Sequence, residues 1–310
     1  MTAHVAEANE ARGRVILRVS AWTPNDVAIQ AAMLVAMAFN SEVEMLLVED
    51  SQRIDFASFP FAKEFSLRGG APRAVSAEAV RSEIQAAFAL ARRRVAAAAA
   101  EREVHTYEHV VRDDPIQALV SACARRGPWN MIAIAETYDT QTPTLLDELF
   151  DTVRDATGVI IAGPAATPRT EVDRRTAKKT APPEAGPATS TTSGPVVLAV
   201  EDSAHIQGML RAGRYIAAAL ETEIVVMLIA DTDDDLAHLE GEVRLVLAGE
   251  PGVRLARSGA TFGDQAAVAE VIRRQDTSFL IAQYGGVTAP RRQSLRPLTN
   301  ALRCPVLLVR

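Results

Sequence analysis

Two stretches of this chain of 310 residues alternate short aliphatic runs with longer helix-forming ones, and each stretch does so five times in the same order. In the first, the aliphatic runs fall at residues 14–20, 42–48, 104–111, 129–135 and 158–162; in the second, at 196–200, 223–230, 253–257, 278–282 and 306–309. Runs this short and continuously apolar suit strands buried on both faces, and the segments between them carry helical periodicity. A βα order repeated in this way demands a parallel sheet with right-handed crossovers, and its recurrence points to internal duplication. The expected fold is α/β: two doubly wound domains at 14–163 and 195–310, each a five-stranded parallel sheet flanked by helices. Residues 1–13 are expected to be a flexible N-terminus. Residues 164–194, rich in Pro, Ala, Thr, Ser and Gly (APPEAGPATSTTSGP), have no apolar period and are expected to be a flexible linker.

Composition narrows the function classes. Hydrophobic residues make up 48% of the chain but aromatic ones only 5%, so the apolar content is aliphatic, as helices covering a parallel sheet require. No apolar run reaches the roughly 18 residues of a membrane span, and MTAHVAEANEARG at the start lacks a signal core, which predicts a cytoplasmic protein with no membrane role. A formal charge of −6 argues against bulk nucleic-acid binding. Cys123 and Cys304 have no C-x-x-C partner and are expected to be buried, small apolar residues.

Several local features carry candidate chemistry. Residues 50–72 are an insertion holding Phe56, Phe59, Phe61 and Phe65, expected to plug a lid onto the core, with a pocket or partner surface as the alternative. His105 and His109 lie along a predicted strand, where that spacing separates their Cα atoms by roughly 13 Å and disfavours a shared metal. Asp231, Asp233, Asp234 and Asp235 sit at a predicted helix start, where acids are stabilising without any metal. Ser203 and His205 follow the first strand of the second domain, but no nucleophile elbow, zinc-protease motif, Walker loop or dinucleotide fingerprint is present. No catalytic residue or metal ligand is assigned.

PVVLAVEDS (195–203) resembles the opening strand and turn of universal stress proteins, and RCPVLLVR (303–310) resembles their closing strand. With the duplication, the chain resembles a tandem member of that family with degenerate nucleotide-binding motifs. The resemblance implies strand order 3-2-1-4-5 in each domain and pairing of the two domains inside one chain through their last strands, GVIIAG (158–163) and PVLLVR (305–310). It also implies a test for nucleotide binding: an acid ending strand 1 and a loop G-x2-G-x9-G-[S/T] after strand 4, whose amides approach phosphate oxygens. In the second domain Glu201 stands for the acid, one methylene longer than the family's aspartate, and Gly286 for the second glycine. Gln283 replaces the first glycine, the spacer is short, and Gln293 and Ser294 stand for the closing pair. Arg291, Arg292 and Arg296 add cations near the loop. In the first domain Ser20, Ala21 and Trp22 replace the acid turn, ETYDTQTP (136–143) contains no glycine, and Asp147, Glu148 and Asp151 would repel a triphosphate.

Two readings follow. The first is a non-catalytic stress-response or regulatory protein acting mainly through contacts with an unidentified protein partner. The alternative is a sensor of ATP, another adenine nucleotide or another anion, binding in the second domain at Glu201, Asp202, Ser203, Gly285, Gly286, Arg292 and Ser294. Slow ATP hydrolysis and homodimer formation stay open.

Overall fold

The computed structural model describes residues 13–20, 24–64, 73–124, 129–137, 142–163, 194–250, 252–258 and 265–310. The expectations about the N-terminus before residue 13, Ala21, Trp22, Phe65, most of the loop after Glu136 and the linker up to residue 193 lie outside them.

The first half of the chain runs β1 (Arg14–Val19), α1 (Asp26–Ala38), β2 (Glu42–Asp50), α2 (Ser51–Ala57), the short pair β3 (Lys63–Glu64) and β4 (Arg73–Ala74), α3 (Ala77–Arg102), β5 (Thr106–Asp113), α4 (Pro115–Ala124), β6 (Asn130–Thr137), α5 (Thr142–Thr152) and β7 (Ala156–Ala162). The second half runs β8 (Val196–Val200), α6 (Ile206–Leu220), β9 (Ile224–Leu228), α7 (Asp233–Val246), β10 (Val253–Arg257), α8 (Gln265–Arg273), β11 (Phe279–Gln283), α9 (Arg296–Ala301) and β12 (Val306–Val309). The last helix begins only at Arg296, because residues 284–292 form turns and a bridge between Tyr284 and Ala289.

The main strands form one ten-stranded sheet, ordered β10-β9-β8-β11-β12-β7-β6-β1-β2-β5. All neighbours are parallel except at the centre, where β12 lies antiparallel to β7 with Leu307 opposite Ile160 and Val309 opposite Gly158. A Cβ at Gly158 would crowd the Leu308 carbonyl, so a glycine is what lets the two strands approach there. Strand alternation sends Val15, Leu17, Val19, Val196, Leu198 and Val200 into one apolar layer and Ile16, Val197 and Ala199 into the other. Each layer therefore runs across both halves.

Caps explain where several helices begin. The Asn25 side chain accepts from the Val27 amide, and its Nδ2 donates to the Gly163 carbonyl at 2.8 Å, tying the start of α1 to the end of β7. Ser76 caps α3 and Thr232 caps α7; the Thr232 hydroxyl accepts from the Asp235 amide and donates to its carboxylate. The acidic run at 233–235 thus serves the first turn of a helix. Among the described residues no group of three or more His, Cys, Asp or Glu side chains is placed to hold a metal ion, and no helix is long and apolar enough to cross a membrane.

The insertion corrects one expectation. Ile54, Ala57 and Ala62 face the core, while Phe56, Phe59 and Phe61 are 55%, 49% and 70% exposed, so these rings do not plug a lid. Phe59 and Phe61 stack on each other at 5.2 Å.

At the lower end of the first half, Arg14 and Glu44 form a buried ion pair. Arg14 also donates to Tyr107 Oη at 2.9 Å, to Asn130 Oδ1 at 3.3 Å and to the Ala122 carbonyl, and Tyr107 Oη donates to Glu44 at 3.0 Å. Burial, together with the Glu44 charge, holds the Tyr107 phenol above its usual range despite the opposing Arg14 cation. Glu44 also meets His109 Nδ1 at 3.4 Å. Substituting Arg14→Ala strands a buried carboxylate and is expected to cost about 3–5 kcal/mol in urea denaturation, whereas Arg14→Met with Glu44→Leu costs far less. Equal losses in the single and double variants would show that the pair is not coupled.

Candidate functional site

In an open parallel sheet the crevice lies at the carboxyl ends of the strands where the order reverses. In the second half that point is between β8 and β11, where Ala199 pairs with Ala282. Continuing the register sets Glu201 opposite Tyr284, at the mouth of the loop leading to α9. The Glu201 carboxylate reaches that loop and accepts from the Val287 amide at 2.5 Å and the Thr288 amide at 2.7 Å. It lies against Gly286, where a Cβ would overlap it. Thr288 is fully buried, and its hydroxyl has no hydrogen-bond partner among the described residues.

The other expected ligands turn elsewhere. Asp202 accepts from the Ala204 amide at 2.9 Å and the His205 amide at 3.3 Å, and meets His205 Nδ1 at 2.8 Å. Burial works to raise the Asp202 carboxyl, but the His205 contacts and the amides outweigh it, so it titrates below its usual range. Its interactions therefore stabilise the fold above the ordinary carboxylate pKa, and that contribution is lost as pH falls through the lowered value. Ser203 lies half-buried beside this pair. Gly285 adopts φ +100°, open to glycine without strain, and donates to the Ala289 carbonyl. Ser294 is exposed and its hydroxyl accepts from the Arg296 amide at 3.3 Å.

The basic segment meets the first half at Arg291 and Arg292. Arg291 pairs with Asp151 at 2.9 Å, and the Arg292 amide donates to both Asp147 oxygens at 3.1 and 3.3 Å. Arg292 holds the left-handed region at φ +58°, a conformation that this carboxylate supports. Tyr284 Oη donates to Asp147 at 2.9 Å and its ring stacks on Phe150 at 4.2 Å. Asp147 and Asp151 thus hold the loop of the other half through one amide, a hydroxyl and a guanidinium. Chain order gave no sign of this, because the contact exists only across the seam between β7 and β12.

At the first-half switch point an acid again bonds across the strand pair. Arg18 pairs with Ile134 across β1 and β6, which places Ser20 opposite Glu136. Here the acid comes from the fourth strand: Glu136 accepts from the Ser20 amide at 2.7 Å and from Arg18 Nη2 at 2.9 Å. Arg18 and Glu136 are nearly buried, and Arg18 Nε has no partner among the described residues. The sequence reading missed Glu136 and Arg18, although a lone acid ending the fourth aliphatic run was the available signal.

Cys123 and Cys304 are buried, and burial pushes both thiols up to about 12. Neither should react with a thiol reagent at mildly alkaline pH until the protein is unfolded; prompt labelling of the native protein would contradict their packing. At the crevice, Gly286→Ala should drive Glu201 off the loop and destabilise the protein by about 1–3 kcal/mol in chemical denaturation. An unchanged midpoint would mean that the carboxylate does not sit where it is described.

No family model and no curated protein sequence matches the chain. Its fold is similar to those of several solved structures, among them the following three. A candidate universal stress protein from Pseudomonas aeruginosa UCBPP-PA14 is 13% identical, with TM-score 0.51, covering 97% of this chain and 94% of the other. A universal stress protein from Archaeoglobus fulgidus DSM 4304 is 11% identical, with TM-score 0.52, covering 95% and 98%. The cytoplasmic domain of a prokaryotic cation chloride cotransporter is 10% identical, with TM-score 0.52, covering 96% and 95%. At these identities the likeness is one of architecture: the chain has an α/β fold of the universal-stress type, a mostly parallel sheet flanked by helices.

Proposed function

We propose that the chain is a non-catalytic regulatory protein of the universal stress type, cytoplasmic, acting through contacts with another protein rather than through a bound nucleotide. The observation that carries this reading is the pair of hydrogen bonds from the Val287 and Thr288 amides to Glu201. A nucleotide phosphate at this loop would need those amides, and it would meet a carboxylate already seated on them. The Arg291 guanidinium is also committed, to Asp151. In the first half Glu136, at the end of the fourth aliphatic run, accepts from the Ser20 amide. Surface is available for a protein contact instead, since Phe56, Phe59 and Phe61 are exposed together on one segment.

The domains at 14–163 and 195–310 act in this reading as a built-in pair, joined by β7 and β12, with the segment between them as a tether. The alternative, an adenine-nucleotide or other anion sensor at Glu201, Asp202, Ser203, Gly285, Gly286, Arg292 and Ser294, requires Glu201 to leave the loop. Mass spectrometry of small molecules released from the purified protein, with calorimetric titration of Mg-ATP, separates the two. We expect no co-purifying nucleotide and no binding heat. A bound nucleotide that disappears in Gly286→Arg would overturn the proposal in favour of the sensor.

A further inference from the structure

The ten-stranded sheet is continuous through β7 and β12 but still ends in two outer strands, β10 and β5, with no strand beyond either among the described residues. An outer strand presents a row of amides and carbonyls that another strand can pair with, and charge along it is the usual protection. The two edges arrange their charge differently. In β10, five residues long, both charged side chains are cations, Arg254 and Arg257, so no pairing of that strand with a copy of itself sets opposite charges together. β5 has eight residues, Thr106–Asp113, and carries both signs.

The Val43 amide donates to the His105 carbonyl at 3.0 Å and Val43 pairs with Thr106, so in this parallel ladder the odd-numbered residues of β5 bond to β2. Thr106, Glu108, Val110 and Arg112 therefore turn their amides and carbonyls outward, and their side chains are the exposed ones of the strand. Val110, in the middle of this row, is 46% exposed. A second β5 laid antiparallel, with Val110 opposite Val110, bonds the outward groups of both strands and sets Glu108 of each copy opposite Arg112 of the other. Sliding the pairing by two residues sets Val110 against a charge, and by four sets Glu108 or Arg112 against its own kind. The charges also have support within each copy: Arg92 Nε donates to Glu108 at 2.8 Å and Arg112 Nη2 to Asp55 at 3.2 Å. Across the joint the row would read Arg92, Glu108, Arg112, Asp55, alternating in sign.

We infer that β5 is the contact between two copies of this chain, which join edge to edge about a two-fold axis at Val110 into one continuous sheet. The contact is self-complementary and therefore closes at two copies. It goes beyond the proposed function and does not depend on what the crevices hold.

The test is sedimentation velocity of the full-length chain over a range of concentrations, with circular dichroism to confirm that each variant is folded. The wild type should reach twice the chain's mass and stop there. Glu108→Arg sets cations opposite cations and Arg112→Glu sets acids opposite acids, so each variant alone should self-associate about 10-fold more weakly or worse. Mixed in equal amounts, the two variants place opposite charges at both positions and should recover the dimer. A wild type that stays monomeric, a mass that climbs past two chains, single variants that dimerise like the wild type, or a mixture that stays monomeric would each overturn the assignment. If either charge variant does not fold, Val110→Lys decides: it changes an exposed side chain, leaves the bonds to β2 in place and sets two ammonium groups together at the axis, so a dimer that survives it would overturn the assignment and its loss would support it.

Discussion

The antiparallel pairing of β7 with β12 is the constraint on which the rest of the molecule depends. A five-stranded parallel sheet ends in strands whose outer backbone groups must bond to something, and an exposed edge of aliphatic residues invites association with other chains. Here the edge of each half satisfies the other, turning two small sheets into one of ten strands with two continuous apolar layers. The pairing also brings α1 beside α6, where Phe39 and Tyr215 meet at 4.9 Å, and α5 beside the loop after β11. Arg310 completes the contact by donating to the Phe150, Val153 and Arg154 carbonyls near the end of α5, where a cation is electrostatically favoured.

That seam gives the acids of α5 their role. Read along the chain, Asp147 and Asp151 belong to the first half's own crevice, where they would repel an anion. In the folded molecule they support the second half's loop. The same side chains thus have opposite meanings depending on which loop they face, and only the seam settles which. The crevices themselves show a related economy: Glu136 and Glu201 come from different strands of their halves, yet each neutralises main-chain donors across the strand pair at which the order reverses.

Much of the architecture was legible from residues 196–200 and 306–309 and their counterparts, because a strand buried on both faces must be apolar at every position and such runs stand out against Ala-rich helices. The helix start at Asp233, Asp234 and Asp235 was legible for a similar reason, since the chemistry of a first turn is local. The phenylalanines of the insertion were misread, because apolar composition does not say which side of a short helix meets the core. Of the site, Glu201 and Gly286 were singled out and do come together, whereas the Val287 and Thr288 amides that Glu201 accepts from were not foreseen, because that contact depends on the path of the loop.

The sequence by itself determined the α/β alternation, its repetition in two halves and the aliphatic core, since these follow from backbone periodicity and from the cost of burying polar groups. Tertiary structure alone decided that Glu201 lands on the Val287 and Thr288 amides, that Asp147 and Asp151 serve the opposite half, and that Phe56, Phe59 and Phe61 face outward. Those outcomes depend on strand register and on the path of a loop between strands far apart in the chain. A single added methylene, glutamate in place of aspartate, gives a carboxylate longer reach, but where that reach ends is set by the neighbouring strand.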